Sequence, residues 1–201
     1  MNIAIFASGR GTNFSAIIRA VKKGRIQASV PILVCDNPGA GVIGRARRAG
    51  VKVVLVKRED FATKQDFEQK IIQHLEEHKI ELVALAGFMR ILGPELVSRY
   101  KNKIINIHPA ILPSFKGTHG IKDAFDCGVK VTGVTVHFVD ETMDHGPIIL
   151  QGAVEIKEDD TLESLEEKIH KVEHKIYPEA IQLFVEGRLK VEGRKVQISI
   201  P

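Results

Sequence analysis

The sequence predicts an α/β fold with a single doubly wound, mostly parallel sheet and helices on both of its faces. Two observations support this prediction. Short runs rich in β-branched residues alternate along the chain with segments that carry apolar residues at helical spacing. Among these runs, residues 82–86 are apolar at every position, which is typical of a central parallel strand covered by helices on both sides. The expected sheet is therefore of the Rossmann-like kind.

The predicted strands and helices alternate from the N-terminus to about residue 108. The strands are expected over residues 3–7, 30–35, 51–56, 82–86 and 104–108. The helices between them are expected over residues 13–23, 41–49, 64–78 and 94–100. Strands that alternate with helices in this way are typical of a parallel sheet.

Beyond residue 108 the pattern changes. Residues 110–120 carry prolines and glycines and form a loop too long for a simple turn, which favours a mobile loop. We expect two strands at the sheet edge, one long helix and a final hairpin, over residues 131–139, 148–156, 162–186 and 189–200. Pro178 is expected to kink or divide the helix, and the hairpin is expected to turn at residues 192–194.

Length and composition predict one ordinary globular domain. The chain has 201 residues, of which 44% are hydrophobic and 27% are charged, and a single domain over residues 1–201 is expected. The net charge of +4 comes from 29 basic and 25 acidic residues that are interspersed, which favours a small anionic ligand over nucleic acid. Because no segment approaches roughly 18 consecutive apolar residues, we expect a cytoplasmic protein that does not enter a membrane.

Two polar side chains end the strand predicted over residues 104–108. Asn106 and His108 are two positions apart, so they share one face of that strand. An amide donor beside an imidazole suits the stabilisation of the oxyanion in acyl transfer. Asp144, in a tight Asp-x-Gly-Pro loop, is the candidate carboxylate that holds the imidazole protonated. Taken alone, His108 is equally consistent with a structural histidine, but its two companions favour a catalytic one.

The residues around Asn106, His108 and Asp144 indicate the type of reaction. No serine or cysteine nucleophile motif lies near them, so covalent catalysis is not expected. A reaction in which the substrate supplies its own nucleophile needs a polarised carbonyl, a proton relay and good alignment, and these residues can provide all three.

The segment Ser8-Gly9-Arg10-Gly11-Thr12-Asn13 lies where the first strand gives way to the first helix. Backbone N–H groups and the helix dipole attract phosphate at such a place. The alternative is a dinucleotide-binding fingerprint, which Gly9-x-Gly11 and the acidic Asp36 would support. Phe14 opposes it, because a third glycine is needed there, whereas the threonine and asparagine before it add donors suited to a terminal phosphate. A turn that needs glycine only for its geometry is a further alternative.

The last long helix carries two histidines that could suggest a metal site. His170 and His174 lie four residues apart there, a spacing found in metal-binding pairs. A zinc hydrolase needs its glutamate directly after the first histidine, whereas Glu173 directly precedes the second. We therefore expect a solvated or ligand-facing helix edge and no metal.

Six segments together carry a resemblance that runs from end to end of the chain. They are the segment 8–13 and residues 85–92, 106–113, 133–139, 143–147 and 173–178, the last five reading LAGFMRIL, NIHPAILP, GVTVHFV, MDHGP and EHKIYP. By these segments the chain resembles the folate-dependent glycinamide ribonucleotide formyltransferase family. Segments 106–113 and 143–147 also resemble other enzymes that use formyltetrahydrofolate, so they indicate the chemistry, while the phosphate-binding segment indicates the acceptor.

The resemblance implies two small-molecule substrates and the residues that bind them. Gly11, Thr12 and Asn13 would hold the phosphate of 5-phosphoribosylglycinamide, and Glu173 would contact its ribose or glycinamide portion. Lys64 would lie near the glutamate tail of the co-substrate, 10-formyltetrahydrofolate. The other folate-binding residues would be Met89, Arg90, Ile91, Leu92, Asn106, Val139, Asp140 and Asp144. The phosphate-binding half would span about 1–100 and the folate-binding, catalytic half about 101–201, in a monomer or homodimer.

The resemblance also implies a reaction of de novo purine synthesis. The glycinamide amine would attack the formyl carbon directly, giving N-formylglycinamide ribonucleotide and tetrahydrofolate. Asn106 would donate to the oxyanion, and His108, kept cationic by Asp144, would stabilise it and help to protonate the departing folate nitrogen. The alternatives are a formyltetrahydrofolate hydrolase and, from another class, a non-catalytic nucleotide-binding module. A formyltransferase acting on methionyl-tRNA is expected to need a further C-terminal domain.

Overall fold

A computed structural model describes residues 1–200 of the chain. Within them are nine strands: β1 (Asn2–Phe6), β2 (Ser29–Cys35), β3 (Lys52–Leu55), β4 (Leu82–Leu85), β5 (Ile104–His108), β6 (Val131–Phe138), β7 (Ile148–Glu155), β8 (Leu189–Glu192) and β9 (Lys195–Ile198). The same residues form six α-helices: α1 (Thr12–Lys22), α2 (Gly41–Ala49), α3 (Lys64–Glu77), α4 (Pro94–Arg99), α5 (Gly120–Cys127) and α6 (Leu162–Val185).

The predicted fold class is confirmed. The strands form one mostly parallel sheet in the order β3-β2-β1-β4-β5-β6-β7-β9-β8, with helices on both sides. Strand β1 pairs in parallel with β2 and β4, and β2 pairs in parallel with β3. All four residues of β4 are buried, as expected for an apolar strand covered on both faces.

The chain divides into two compact units, Met1–Ile105 and a second that begins at Asn106. In the first unit the neighbouring parallel strands β1 and β4 each lead into a loop at their carboxyl ends. The N–H of Ser8, just after β1, donates to the carbonyl of Gly87, just after β4, over 3.0 Å. The loops after these two strands are therefore joined directly.

In the second unit, β6 and β7 form an antiparallel pair that runs from Val131 opposite Glu155 to His137 opposite Ile148. Helix α6 packs against both strands. A Cβ atom at Gly152 of β7 would lie 2.5 Å from Cγ1 of Val172, so the glycine permits the close approach of this helix. The loop between β6 and β7 carries Asp144.

The second unit differs from the predictions at three places. The loop predicted over residues 110–120 is followed by α5, for which no prediction was made and which has eight residues and no side-chain cap at its N-terminus. The final hairpin is confirmed, but β6 and β7 are not at the edge, because β9 pairs in parallel with β7 and β8 lies beyond it. Helix α6 is not divided at Pro178, which is buried with Tyr177 and Ala180 on the packed face of the helix.

No helix within residues 1–200 is both long enough and apolar enough to cross a membrane.

Candidate active site

Strand β5 carries the first two candidate catalytic residues. Asn106 and His108 lie two positions apart on it, and the strand ends at His108, directly before Pro109, as predicted. The His108 side chain is only 3% exposed. An imidazole this deeply buried needs polar partners, because an unpaired polar group in the interior is costly.

The loop after β6 supplies the carboxylate. Oδ2 of Asp144 lies 3.5 Å from Nδ1 of His108, and the Asp144 side chain is 8% exposed. Asp144 has a φ of +49°, in the left-handed region that aspartate tolerates better than most residues. A Cβ at Gly146 would lie 1.9 Å from the carbonyl oxygen of Phe138, so only glycine lets the loop turn this closely against β6. The Asp-x-Gly-Pro sequence therefore fixes the carboxylate beside the imidazole.

His137, at the end of β6, is a fourth member of this site that the sequence analysis did not single out. Its Nε2 lies 3.2 Å from Nδ2 of Asn106 and 3.7 Å from Oδ1 of Asp144. Its Nδ1 donates to the carbonyl oxygen of Phe138 over 2.7 Å, so a neutral His137 accepts a hydrogen from the Asn106 amide at Nε2. We call Asn106, His108, His137 and Asp144 the catalytic cluster.

One loop hydrogen-bonds two members of the catalytic cluster. We call residues 114–120 the site loop. Nε2 of His108 donates to the carbonyl oxygen of Phe115 over 2.8 Å, and the N–H of Gly117 donates to Oδ2 of Asp144 over 2.8 Å. Phe115 has a φ of +52°, which is strained for a bulky side chain. The carbonyl of Phe115 therefore accepts the Nε2–H hydrogen of His108, which a substrate oxygen would need as its donor.

Two side chains on β6 and β7 hold the chain that leads into the site loop. Thr135, fully buried on β6, donates to the carbonyl of Ala110 over 2.7 Å and accepts from the N–H of Leu112 over 3.0 Å. Gln151 of β7 donates to the carbonyl of Leu112 over 3.0 Å. Residues 110–112 are therefore anchored to the sheet, and the site loop begins after this anchor.

Burial governs the protonation of His108. Removal from water lowers the pKa of His108, and the charge of Asp144 and the bond to the Phe115 carbonyl offset this only in part. Burial raises the pKa of Asp144, but the neighbouring His137 side chain and the hydrogen bond from the Gly117 N–H contribute to a net value below the ordinary one. These two shifts favour an anionic Asp144 beside a neutral imidazole before the substrates bind. The lowered pKa runs against the prediction that Asp144 keeps His108 cationic, and the charge of His108 stays a prediction for the measurement described in the Discussion.

Glu173 lies on α6 in the same unit. It is 5% exposed, and its Oε2 is 3.2 Å from Nδ1 of His170. Its negative charge acts on His108 in the direction that raises the pKa of that imidazole. The rings of His170 and His174 are 6.2 Å apart, and no cluster of three or more potential metal ligands is found within residues 1–200.

The predicted phosphate-binding segment, residues 8–13, lies in the first unit and is called the phosphate loop below. Gly11 is the N-cap of α1 and has a φ of +77°. A Cβ at Gly11 would lie 2.5 Å from Cγ2 of Val42, so the loop needs glycine here for both its conformation and its packing. The first turn of a helix leaves N–H groups without partners inside the helix, and those of α1 begin at Thr12. Such groups suit a phosphate oxygen.

The predicted folate-binding residues lie in both units. In the first, residues 89–92, called the folate segment below, expose two apolar side chains, with Met89 66% and Ile91 63% exposed. Exposed apolar groups this close together are typical of a binding surface. Lys64 is half-exposed, and its Nζ lies 3.7 Å from Oε1 of Glu68. In the second unit, the half-buried Asp140 accepts from the N–H of Thr142 over 2.9 Å.

Comparisons with known proteins are consistent with one another. The family model described as formyl transferase matches residues 1–181. The phosphoribosylglycinamide formyltransferase of Bacillus subtilis (strain 168) is 51% identical over 179 residues, covering 89% of this chain and 92% of that protein. The human trifunctional purine biosynthetic protein adenosine-3 is 39% identical over 94% of this chain, which spans 19% of that protein's length. The crystal structure of glycinamide ribonucleotide transformylase 1 from Symbiobacterium toebii matches with a TM-score of 0.96 and 43% identity over 98% of this chain and 93% of that one.

Proposed function

Because the chain belongs to the formyl transferase family, we propose that it transfers the formyl group of 10-formyltetrahydrofolate to the amine of 5-phosphoribosylglycinamide. The products are N-formylglycinamide ribonucleotide and tetrahydrofolate, in de novo purine synthesis. The observation that carries the proposal is the pairing of His108 with Asp144, 3.5 Å apart, with Asn106 connected to Asp144 through His137. The whole of residues 1–201 acts as one catalytic domain in this proposal.

The binding of the acceptor rests on the phosphate loop. Gly11, Thr12 and Asn13 bind its phosphate through the N-terminus of α1, where the helix dipole adds positive potential. Glu173 contacts its ribose or glycinamide portion. This assignment is supported by the left-handed conformation of Gly11 and by its contact with Val42, which hold the loop in one shape.

The binding of the formyl donor rests on the folate segment and on the loop after β6. The exposed Met89 and Ile91 offer apolar contact to the ring system, and Lys64 offers a charge to the glutamate tail. Arg90, Leu92, Asn106, Val139, Asp140 and Asp144 complete the proposed set. The donor is a co-substrate, and the proposed chemistry needs no metal.

The proposed first step is attack of the amine nitrogen on the formyl carbon. A C–N bond forms and negative charge moves onto the formyl oxygen. Asn106 donates a hydrogen bond to that oxygen. For this step the contact between His108 and the Phe115 carbonyl breaks, and the His108 proton moves to Nδ1, facing Asp144. Nε2 then accepts the proton that the attacking amine loses.

The second step releases tetrahydrofolate. The imidazolium of His108 is stabilised by Asp144 and by the oxyanion, which together offset the burial that disfavours it at rest. As the oxyanion collapses, the bond between the formyl carbon and the folate nitrogen breaks, and Nε2 of His108 gives its proton to that nitrogen. One proton has then moved from the amine to the folate.

A spectrophotometric assay of tetrahydrofolate formation from 10-formyltetrahydrofolate tests the proposal. We expect product to form only when 5-phosphoribosylglycinamide is added. Product formation without the amine would identify a hydrolase instead, and no product under either condition would indicate a non-catalytic module. The acceptor without its phosphate serves as the control for the phosphate loop, and its kcat/KM is expected to be much lower.

The predicted cytoplasmic location, the monomeric or homodimeric state and the absence of nucleic-acid partners stay predictions.

A further inference from the structure

Asp36, directly after β2, is almost wholly buried, with its side chain 7% exposed. Its Oδ1 accepts from Oγ of Ser8 over 2.5 Å, and its Oδ2 accepts from Nε of Arg90 over 2.5 Å. Both carboxylate oxygens are therefore engaged inside the first unit. The sequence left open whether Asp36 contacts a ribose, and the structure instead gives it two partners from the protein itself.

Ser8 connects the loop after β1 with the loop after β4. Its Oγ donates to Asp36 and also accepts from the N–H of Met89 over 3.0 Å. Its own N–H donates to the Gly87 carbonyl over 3.0 Å, and its carbonyl accepts from Nδ2 of Asn37 over 3.1 Å. Ser8 thus begins the phosphate loop while it fixes the main chain at Met89, where the folate segment begins.

Arg90 extends this connection into the folate segment. Besides its ion pair with Asp36, its guanidinium lies 5.8 Å from the centroid of the Phe67 ring. The Arg90 side chain is therefore oriented from two sides. Ser8, Asp36 and Arg90 form a continuous polar connection between the phosphate loop and the folate segment, which we call the loop tie.

We propose that Ser8 and Asp36 are positioning residues that couple the binding of the phosphate-bearing acceptor to the binding of the folate. This inference rests on the proposed function and gives Ser8 and Asp36 a role that they exert through the residues they hold, without requiring contact with either substrate. A ligand that orders the phosphate loop also fixes Ser8, and Ser8 fixes the N–H of Met89 and, through Asp36, the side chain of Arg90. The second ligand then meets a segment already ordered, so each ligand strengthens the binding of the other.

Isothermal titration calorimetry with the full chain tests this coupling. The probes are 5-phosphoribosylglycinamide and tetrahydrofolate, which together carry no formyl group and do not react. In the wild type, each is expected to bind at least about five-fold more tightly when the other is saturating, and the factor must be the same in both directions. In Asp36→Ala and in Ser8→Ala the factor is expected to fall close to one.

Two further variants separate coupling from stability. Asp36→Asn keeps an oxygen for Ser8 but removes the charge opposite Arg90, so an intermediate factor is expected. Glu76→Gln alters an exposed carboxylate of the same unit, paired with Arg99, and is expected to keep the wild-type factor. Ser8→Ala removes only a hydroxyl, so it serves if Asp36→Ala does not fold.

The outcomes also distinguish this inference from the proposed function. If the wild type shows no coupling, or if folded Asp36→Ala and Ser8→Ala keep the wild-type factor, the loop tie has no coupling role. In that event normal formyl transfer would leave the proposed function intact. If neither probe binds the wild type, the proposed function fails first.

Discussion

The catalytic cluster and the phosphate loop are built from different parts of the polypeptide. In the catalytic cluster, buried side chains contact one another, as Nδ1 of His108 and Oδ2 of Asp144 do at 3.5 Å. In the phosphate loop, the decisive group is a residue with no side chain, Gly11, and the proposed ligand contacts are N–H groups of the main chain. Side-chain deletion should therefore abolish chemistry at the first site, whereas a change of backbone geometry should have the larger effect at the second.

The largest expected effect is on the catalytic cluster. Removing one oxyanion donor typically costs about 10²- to 10³-fold in kcat, so Asn106→Ala and His108→Ala are expected to lose at least that much. The KM for the acceptor should change far less. His74→Ala, which removes a histidine paired with Glu77 on α3, is the control and should keep its turnover. Steady-state kinetics that show near-normal kcat in either cluster variant would remove that residue from the mechanism.

The next largest effect is expected at Gly11. Gly11→Ala places a Cβ 2.5 Å from Val42 and forces a φ of +77°, a conformation that costs an L-residue about 1–2 kcal/mol. We expect the KM for 5-phosphoribosylglycinamide to rise about ten-fold or more, with a smaller change in the KM for the folate.

Gly24→Ala is the matched control for this variant. Gly24, at the other end of α1, has a similar φ of +69°, but no atom lies within 4 Å of its Cβ position. It carries the same backbone strain without the clash, and its KM values should stay at the wild-type level. Equal KM changes in both variants would mean that strain alone, and not the shape of the phosphate loop, explains the effect.

Sequence patterns were sufficient where the chemistry follows from local geometry. Residues two positions apart on a strand share a face, which predicts that Asn106 and His108 lie together. The Asp-x-Gly-Pro turn predicts a fixed carboxylate. His137 was missed because its role comes from the pairing of β6 with its neighbours and from the approach of Asp144, which are tertiary features. The available signal was a histidine near the end of a predicted strand.

The protonation of His108 and the presence of helix α5 also depend on tertiary features. The protonation of His108 depends on burial as well as on the carboxylate, and the sequence does not display burial. Helix α5 buries only Gly120 and Ala124, and the glycines and prolines just before it dominate the local signal. Its apolar residues Ile121 and Phe125 are nevertheless at helical spacing, and this was the evidence that could have predicted the helix.

A smaller effect is expected for His137, which acts on Asn106 and does not take part in the proposed proton transfer. His137→Leu removes the acceptor of the Asn106 amide, and a hydrogen bond worth about 1 kcal/mol corresponds to about a five-fold loss of kcat. Thr132→Val is the control on the same strand, because Oγ1 of Thr132 is buried with no hydrogen-bond partner among residues 1–200. A loss in His137→Leu as large as that in Asn106→Ala would place His137 in the chemistry itself.

The smallest expected effect is on the pH dependence of the free energy of unfolding, which reports the protonation of His108 before substrates bind. Because burial lowers the pKa of His108 in the folded state, the unfolded chain binds more protons between that value and the unfolded pKa of about 6.5. The free energy of unfolding should therefore rise with pH through this window and be fully restored above it. His108→Gln should have a shallower slope, by at most about 1.4 kcal/mol per pH unit.

Urea denaturation of both proteins between about pH 5 and pH 7.5 measures this difference. The window excludes Asp144, whose lowered pKa contributes stability that is lost only as the pH falls below its ordinary value of 3.8. A wild type that instead gains stability relative to His108→Gln as the pH falls would mean that Asp144 outweighs burial and that the imidazole is cationic at rest. His108 would then begin the reaction as an acid, and the amine proton would need another acceptor, so this measurement decides which of the two proposed proton transfers His108 performs first.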